Sequence, residues 1–370
     1  MDLGELRRAL DGVDTELIEL AARRQSLVAE IGRIKRAQGR LLRDFARERE
    51  VLERASANAE RAGLDPGLAR SLLQQLIEAS LTTQEQDRVR AVASGAGQRA
   101  LVIGGGGRMG GWFARFLDAQ GYSVTVADPA GSPDAFPVCA DWREADFAQD
   151  LLAQDLIVVA APLRASAAVL AGLAERNPGA VVFDIGSLKS PLRGGLEALV
   201  AAGVRVTSMH PMFGPSANVL AGRHVIFIDL GVPEATDVAR SLFAHTTAVP
   251  VSMSLDEHDR AIGYVLGLSH ALNIAFFTAL AQSGEMAERL AELSSTTFDR
   301  QLAIARGVAD ENPHLYYEIQ RLNEQGDEAL AALEGAVRQV LASVRSGDES
   351  AFVALMQGGR GYFTSRGAAR

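Results

Sequence analysis

The chain has 370 residues, enough for two or three domains that each bury a core, and its 48% apolar and 22% charged content is that of an ordinary globular protein. No uninterrupted apolar run reaches the ~18 residues of a membrane span, the opening Met1 to Arg8 is charged, and a single cysteine, Cys139, excludes a disulfide framework and a cysteine metal cluster, so a cytoplasmic protein without membrane contact or bound metal is expected. The net charge of −9 falls entirely on residues 91–370, where 21 basic side chains meet 30 acidic ones, and this surplus argues against nucleic acid.

From Leu3 to about Ile34 apolar residues recur at spacings of three and four: Leu3, Leu6, Leu10, Val13, Leu17, Leu20, then Leu27, Ile31 and Ile34. The pattern predicts a long helix with a coiled-coil-like seam. A second helix is expected from Asp44 to about Ala62 and a third from Pro66 through Gln84, separated by Gly39 and by the turn signal Gly63-Leu-Asp-Pro-Gly67. So short a segment cannot enclose its first helix, and pairing with a second copy is expected to bury the seam. Residues 85–98 turn polar and end in Ala93-Ser-Gly-Ala-Gly-Gln98, which reads as a linker. Strand and helix then alternate: Ala100 to Ile103, a helix from about Met109, Ser123 to Ala127, Leu156 to Ala160, Ala180 to Ile185, Val204 to Ser208 and Val225 to Ile228. This predicts a doubly wound parallel sheet. After about Leu255 the pattern is helical to the end, with a long apolar helix near Ala261 to Leu280.

Of the 37 basic residues only Lys35 and Lys189 are lysine. Lysine is a compact point charge and arginine a planar fork, so a chain that defaults to arginine can reserve lysine for places where the fork serves less well, compositional drift being the alternative reading. Around the first, Arg24 occupies a seam position between Leu20 and Leu27, where a charge is costly unless an anion meets it. Lys35 follows eleven residues later, about 20° off the same helical face and roughly 16 Å along the axis. Asp44, Arg47 and Glu48 open the second helix, and Ser80 and Gln84 close the third one turn apart. Together they form a cationic pocket in a helical bundle. A capping cluster with surface ion pairs would explain Asp44, Arg47 and Glu48 equally well, but not Arg24.

Arg7, Arg24, Lys35, Asp44, Arg47, Glu48, Ser80 and Gln84 stand at the spacings of the all-helical chorismate mutases, which residues 3–84 resemble. The resemblance implies stabilisation of a pericyclic transition state of the dicarboxylate chorismate. Arg7 from a partner protomer, Arg24 and Arg47 would hold the carboxylates. Lys35 and Gln84 would meet the ether oxygen, Glu48 the ring hydroxyl, and Asp44 and Ser80 would support them.

The strand Ala100 to Ile103 runs into Gly104-Gly-Gly-Gly-Arg-Met-Gly110, containing Gly105-x-Gly107-x-x-Gly110 with Arg108 and Met109 between the last glycines. Such glycines allow a tight turn, close approach of a pyrophosphate to a helix N-terminus, and tight helix packing. Asp128 ends the second strand, 18 residues past Gly110, where a carboxylate bonds ribose hydroxyls and repels a 2′-phosphate, so NAD is expected over NADP.

Lys189 lies in Asp184-Ile-Gly-Ser-Leu-Lys189, a strand leading into a loop at the edge where such sheets bind ligands, and Ser208-Met-His-Pro-Met-Phe-Gly-Pro215 places His210 at the same edge as a candidate base. With Glu257-His-Asp259, these motifs resemble prephenate dehydrogenase, and the chain from residue 3 to about 360 resembles the bifunctional chorismate mutase/prephenate dehydrogenases of tyrosine biosynthesis. That resemblance implies an all-helical mutase domain over 1–90, a linker over 91–98, a Rossmann-type domain over 99–254 and a helical substrate and dimerisation domain over 255–370. It implies His210 as the base acting on the C4 hydroxyl of prephenate, Ser187 bonding the same hydroxyl, and Arg300 on a carboxylate. His270 is a further substrate-binding candidate, although its apolar helix fits a satisfied core histidine as well. Lys189 receives no role. Ser216 stands where single-function relatives can carry an acid. Arogenate in place of prephenate, tyrosine as feedback inhibitor, and an N-terminal segment that only dimerises or binds an effector remain open.

Overall fold

The computed structural model describes residues 2–38, 43–143, 153–217 and 220–367, so Gly39, expected to separate the first two helices, lies outside the described residues. Two compact units emerge, one of Met1–Gly186 with Gly195–Met253, the other of Ser187–Gly194 with Ser254–Arg370.

The first unit opens with helices α1 (Leu3–Ala37), α2 (Phe45–Ala62) and α3 (Pro66–Val92). Each start is capped by aspartate: Asp2 in a capping box with Glu5, Asp44 accepting from the Arg47 N–H, and Asp65 accepting from the Leu68 N–H beside Pro66. The expected seam of α1 forms but is uncovered within the chain, with Leu3 65%, Leu10 59%, Leu20 61% and Ile34 52% exposed, and Gly32 is the buried residue of this helix. Helix α3 continues to Val92, eight residues beyond the expected end at Gln84. The polar stretch read as the start of a linker is therefore helix, and its Glu85 and Val89 are buried. The turn after it is itself held, Gly95 N–H donating to the Gln120 carbonyl at 2.9 Å.

Among the described residues eight strands follow, in the order β3-β2-β1-β4-β5-β6-β7-β8. They are β1 (Arg99–Ile103), β2 (Ser123–Ala127), β3 (Val138–Cys139), β4 (Leu156–Val159), β5 (Val181–Asp184), β6 (Val206–Pro211), β7 (His224–Ile228) and β8 (Val249–Met253). Helices α4 (Arg108–Ala119), α5 (Leu163–Arg176), α6 (Arg193–Ala201) and α7 (Pro233–Ser241) lie between strands in the sequence. From β3 to β6 the sheet is parallel; β7 runs antiparallel to β6, and β8 parallel to β7. The wholly parallel sheet expected from the alternation is thus corrected. No crossover helix occurs among the described residues between β6 and β7, and without one a chain turns back antiparallel. The registers Ile103↔Ala127, Ile103↔Val159, Val159↔Asp184 and Asp184↔Ser208 align the strand ends, so His210, two residues past Ser208, emerges at the carboxyl edge. Leu101, Val102, Ile157, Val158, Phe183 and Val206 are fully buried at the sheet centre. Phe113 of α4 meets Phe183 edge-on at 6.2 Å and Phe243 at 6.5 Å, the favoured aromatic geometry.

The second unit is helical: α8 (Leu255–Ile262), α9 (Ser269–Gln282), α10 (Ala287–Glu292), α11 (Thr296–Ala309), α12 (Pro313–Leu322), α13 (Gly326–Ser346) and α14 (Glu349–Gly367). A π-helical stretch, Gly263–Leu268, joins α8 to α9 in one 28-residue helix, Leu255–Gln282. By length and composition it could cross a membrane, its best 18-residue window having a mean hydropathy of 1.5 with 17% of the window buried. Ser269 and His270 interrupt its apolar run while the average hydropathy stays high, so no unbroken apolar run marks it in the sequence.

Candidate active sites

The helical segment brings Arg24, Ser80 and Gln84 together. Arg24 Nη1 donates to the Leu76 carbonyl and to Ser80 Oγ, both at 3.1 Å. Gln25 Nε2 donates to the same carbonyl at 3.0 Å, and Gln84 Nε2 to the Val28 carbonyl at 2.7 Å. Ser80 and Gln84 are each 5% exposed, so α3 devotes buried positions to polar groups that face α1. The helices approach closely there, since a Cβ on Gly32 would lie 2.9 Å from Gln84 Cγ. Burial pushes the Arg24 guanidinium below its ordinary value, yet arginine stays charged. Among the described residues it meets neutral oxygens and no carboxylate. It is a half-buried cation whose partners among the described residues are neutral.

Lys35 is half-buried in the last turn of α1, and Arg7 is exposed near its start. Asp44 caps α2, while Arg47 pairs with Glu50 at 2.6 Å, an exposed i,i+3 bridge. Within one chain these two behave as the capping and ion-pair reading expects. Glu48 is gripped by Arg43 through Nε and Nη2, both at 3.0 Å, and Arg43 lies 4.4 Å over the Phe45 ring. Sequence reasoning passed over Arg43, which lies just outside the helical pattern.

At the glycine-rich turn, Gly107 starts α4 without a side-chain cap, leaving the helix N-terminus to an anion. A Cβ on Gly110 would lie 2.1 Å from the Gly104 carbonyl oxygen, so only glycine fits there. Gly105 is buried, Arg108 exposed, and Met109 packs partly buried on the aromatic core. Asp128 Oδ2 accepts from Gly106 N–H at 3.0 Å and Oδ1 from Ala130 N–H at 2.9 Å. This fixes the carboxylate against the turn with lone pairs to spare for hydroxyl donors.

His210 is 4% exposed on β6. Ser208, two residues earlier and so on the same face, has a buried hydroxyl with no hydrogen-bond partner among the described residues. Unsatisfied buried hydroxyls are uncommon and call for a ligand or water.

In the second unit, Asp259 is the hub. Its carboxylate accepts from the Lys189 N–H at 2.9 Å, from the Ser190 N–H and hydroxyl, and from His258 Nδ1 at 2.6 Å. Burial alone would raise its pKa, but the hydrogen bonds from His258, Ser190 and Lys189 outweigh burial and hold it below the usual carboxylate value. Asp259 thereby anchors the loop that carries Ser187, itself half-buried, and Lys189, which is fully buried. The motif Glu257-His-Asp259 was visible in the sequence, its partners some 70 residues away were not. His270 stacks on Tyr316 with centroids 4.0 Å apart, and its buried Nδ1 has no partner among the described residues. Burial lowers its pKa, favouring the neutral ring. Arg300 is exposed on α11, whose next residue, Gln301, donates to Asn273 Oδ1 at 2.9 Å, three residues on from His270.

Three family models match in chain order: chorismate mutase type II over residues 6–85, the nucleotide-binding domain of prephenate dehydrogenase over 113–251, and the prephenate dehydrogenase dimerization domain over 254–358. The 4-amino-4-deoxyprephenate dehydrogenase of Streptomyces pristinaespiralis is 30% identical over 278 residues, 73% of this chain and 93% of that protein. The T-protein of Enterobacter agglomerans is 27% identical over 354 residues, 95% of this chain and 91% of its own. The chain belongs to the bifunctional chorismate mutase/prephenate dehydrogenases. Among solved structures, the prephenate dehydrogenase from A. aeolicus in complex with hydroxyphenyl propionate and NAD+ covers 72% of this chain and 98% of that one, with a TM-score of 0.57 at 21% identity, a likeness of fold.

Proposed function

We propose that the chain catalyses two consecutive steps of tyrosine biosynthesis, chorismate to prephenate in the helical segment and prephenate to 4-hydroxyphenylpyruvate in the remainder. The observation that carries this is the succession of a mutase match and both dehydrogenase matches along one chain.

In the first step one C–O bond breaks and one C–C bond forms within the same molecule, so the protein has only to hold shape and stabilise charge. Arg24 and Arg47, with Arg7 from a second copy, hold the two carboxylates. Lys35 and Gln84 donate to the ether oxygen as it gains negative charge, Glu48 accepts from the ring hydroxyl, and Asp44 and Ser80 keep the basic side chains in place. Among the described residues Arg24 meets no carboxylate, which supports this reading. A homodimer would cover the exposed seam of α1 and supply Arg7.

For the second step, the Gly105–Gly110 turn, the uncapped start of α4 and the fixed carboxylate of Asp128 fit a dinucleotide. NAD, preferred because Asp128 disfavours a 2′-phosphate, supplies a hydride acceptor. His210 takes the proton of the C4 hydroxyl, Ser187 hydrogen-bonds that oxygen, and Arg300 and a neutral His270 bind the rest of the substrate. Loss of the ring carboxylate as carbon dioxide leaves its electron pair to aromatise the ring. Prephenate is preferred here to arogenate as the working substrate, and a cytoplasmic setting fits the single cysteine.

The test is an assay with chorismate, prephenate and arogenate, each with NAD and NADP, on wild type, Lys35→Ala and His210→Asn. Lys35→Ala should lose the mutase and keep the dehydrogenase, and His210→Asn should do the reverse. Retention of mutase activity by Lys35→Ala would reduce the helical segment to a dimerisation or effector module.

A further inference from the structure

Glu85 is the last residue matched to the mutase family and the neighbour of Gln84, yet its side chain faces the sheet. It is 3% exposed. Oε2 accepts from the Leu220 N–H at 2.9 Å, while Oε1 accepts from both the N–H and the hydroxyl of Thr247, the latter at 2.7 Å. Leu220 belongs to the connection between β6 and β7, the stretch that starts two residues past His210 and carries Met212 to Pro215. Thr247 lies two residues before β8.

The same connection is held on its other side by α4. Trp112 Nε1 donates to the Ala217 carbonyl at 3.0 Å and meets the Phe213 ring edge-on at 5.1 Å. The motif after His210 is therefore strung between two helices, one starting at the dinucleotide turn and one ending the mutase segment. Beside Glu85 lies a half-open pocket of 240 Å³ lined by Glu85, Val89, Trp112, Phe116, Leu220 and Thr246. Hydrogen bonds to an ionised acceptor are roughly twice as strong as neutral ones, so the three that Glu85 accepts couple α3 to these two connections.

We infer that Glu85 is a positioning residue for the dehydrogenase, supplied by the mutase helix, which sets the β6–β7 connection and with it His210. The inference rests on His210 being the dehydrogenase base. Glutamine is nearly isosteric but a poor substitute. If its oxygen keeps Thr247, its NH2 group opposes the Leu220 N–H, and in the flipped orientation both Thr247 donors lose their acceptor. Displacing a catalytic group by about 1 Å costs up to about a hundredfold in rate.

In the full-length protein, Glu85→Gln should lower the dehydrogenase kcat/KM for prephenate by about tenfold or more. Mutase kcat/KM and the NAD dissociation constant should stay within about twofold, because the Gln84, Ser80 and Asp128 contacts do not use this carboxylate. Thr247→Val, which removes one donor without touching α3, should shift prephenate turnover the same way by less, and the double variant should fall short of the product of the two effects. A general loss of fold would instead lower both activities and NAD binding together, and that result would overturn the proposal, as would unchanged prephenate turnover in both single variants. If wild type itself lacks prephenate turnover, the assignment of the second reaction fails rather than the role of Glu85.

Discussion

Replacing Asp259 by alanine tests the hub of the second unit most directly. The substitution strips the acceptor from two buried N–H groups, Lys189 and Ser190, and from the Ser190 hydroxyl and His258 Nδ1. An unsatisfied buried donor costs about 1–3 kcal/mol, so the two amides alone bring the loss to about 2–6 kcal/mol. At about 4 °C per kcal/mol for a unit of this size, melting of the helical second unit should fall by roughly 8 °C or more. Calorimetry reads the shift, and hydrogen exchange should show the Lys189 and Ser190 amides losing protection. Because Ser187 rides on the same loop, prephenate turnover should drop while chorismate turnover is spared. The pH dependence has a definite sign. With a folded pKa below the unfolded value of about 3.9, the carboxylate contributes stability above that value and loses it as pH falls through the lowered folded value. Wild type should thus shed stability below about pH 4 through a component absent from the variant. Melting within about 2 °C of wild type, with both amides as protected as before, would refute the assignment of Asp259 as anchor.

Asp128→Ala should weaken NAD binding by about 10- to 150-fold, the worth of a hydrogen bond to a charged acceptor, and narrow the preference over NADP, as titration calorimetry with both would show. For His270, burial lowers the folded pKa below the unfolded value of 6.5, so its stabilising contribution is complete above about pH 6.5 and lost as pH falls below it; His270→Gln should flatten stability measured by denaturant between about pH 5 and 7.

Most of the element order was legible because apolar periodicity is local. The strands from Ala100 to Ile103 and Ser123 to Ala127 follow from it, as does α1. Strand direction is not local, and the antiparallel β7 depends on whether a crossover helix intervenes. Strand β8 was missed because Pro250 weakens the reading of Val249 to Met253 as a strand, and at the sheet edge a proline is tolerated. Arg24 could be singled out because a charge in an apolar seam breaks a pattern. Glu85 could not, and Asp259 was visible only within the Glu257-His-Asp259 motif, since a carboxylate in a polar stretch or near a helix start looks solvated until its distant donors are known. The same limit hid the meaning of Lys189, whose backbone rather than its charge joins it to Asp259.

The scarcity of lysine has a practical side once burial is known. Of the two, Lys189 is fully enclosed and Lys35 is within reach of solvent, while arginine resists ordinary acylating reagents. An amine-directed reagent thus finds in this chain little beyond the terminal amino group and Lys35. With Lys35 in the role proposed for it, chemical labelling without any mutation is expected to silence the first reaction of the pair and leave the second running.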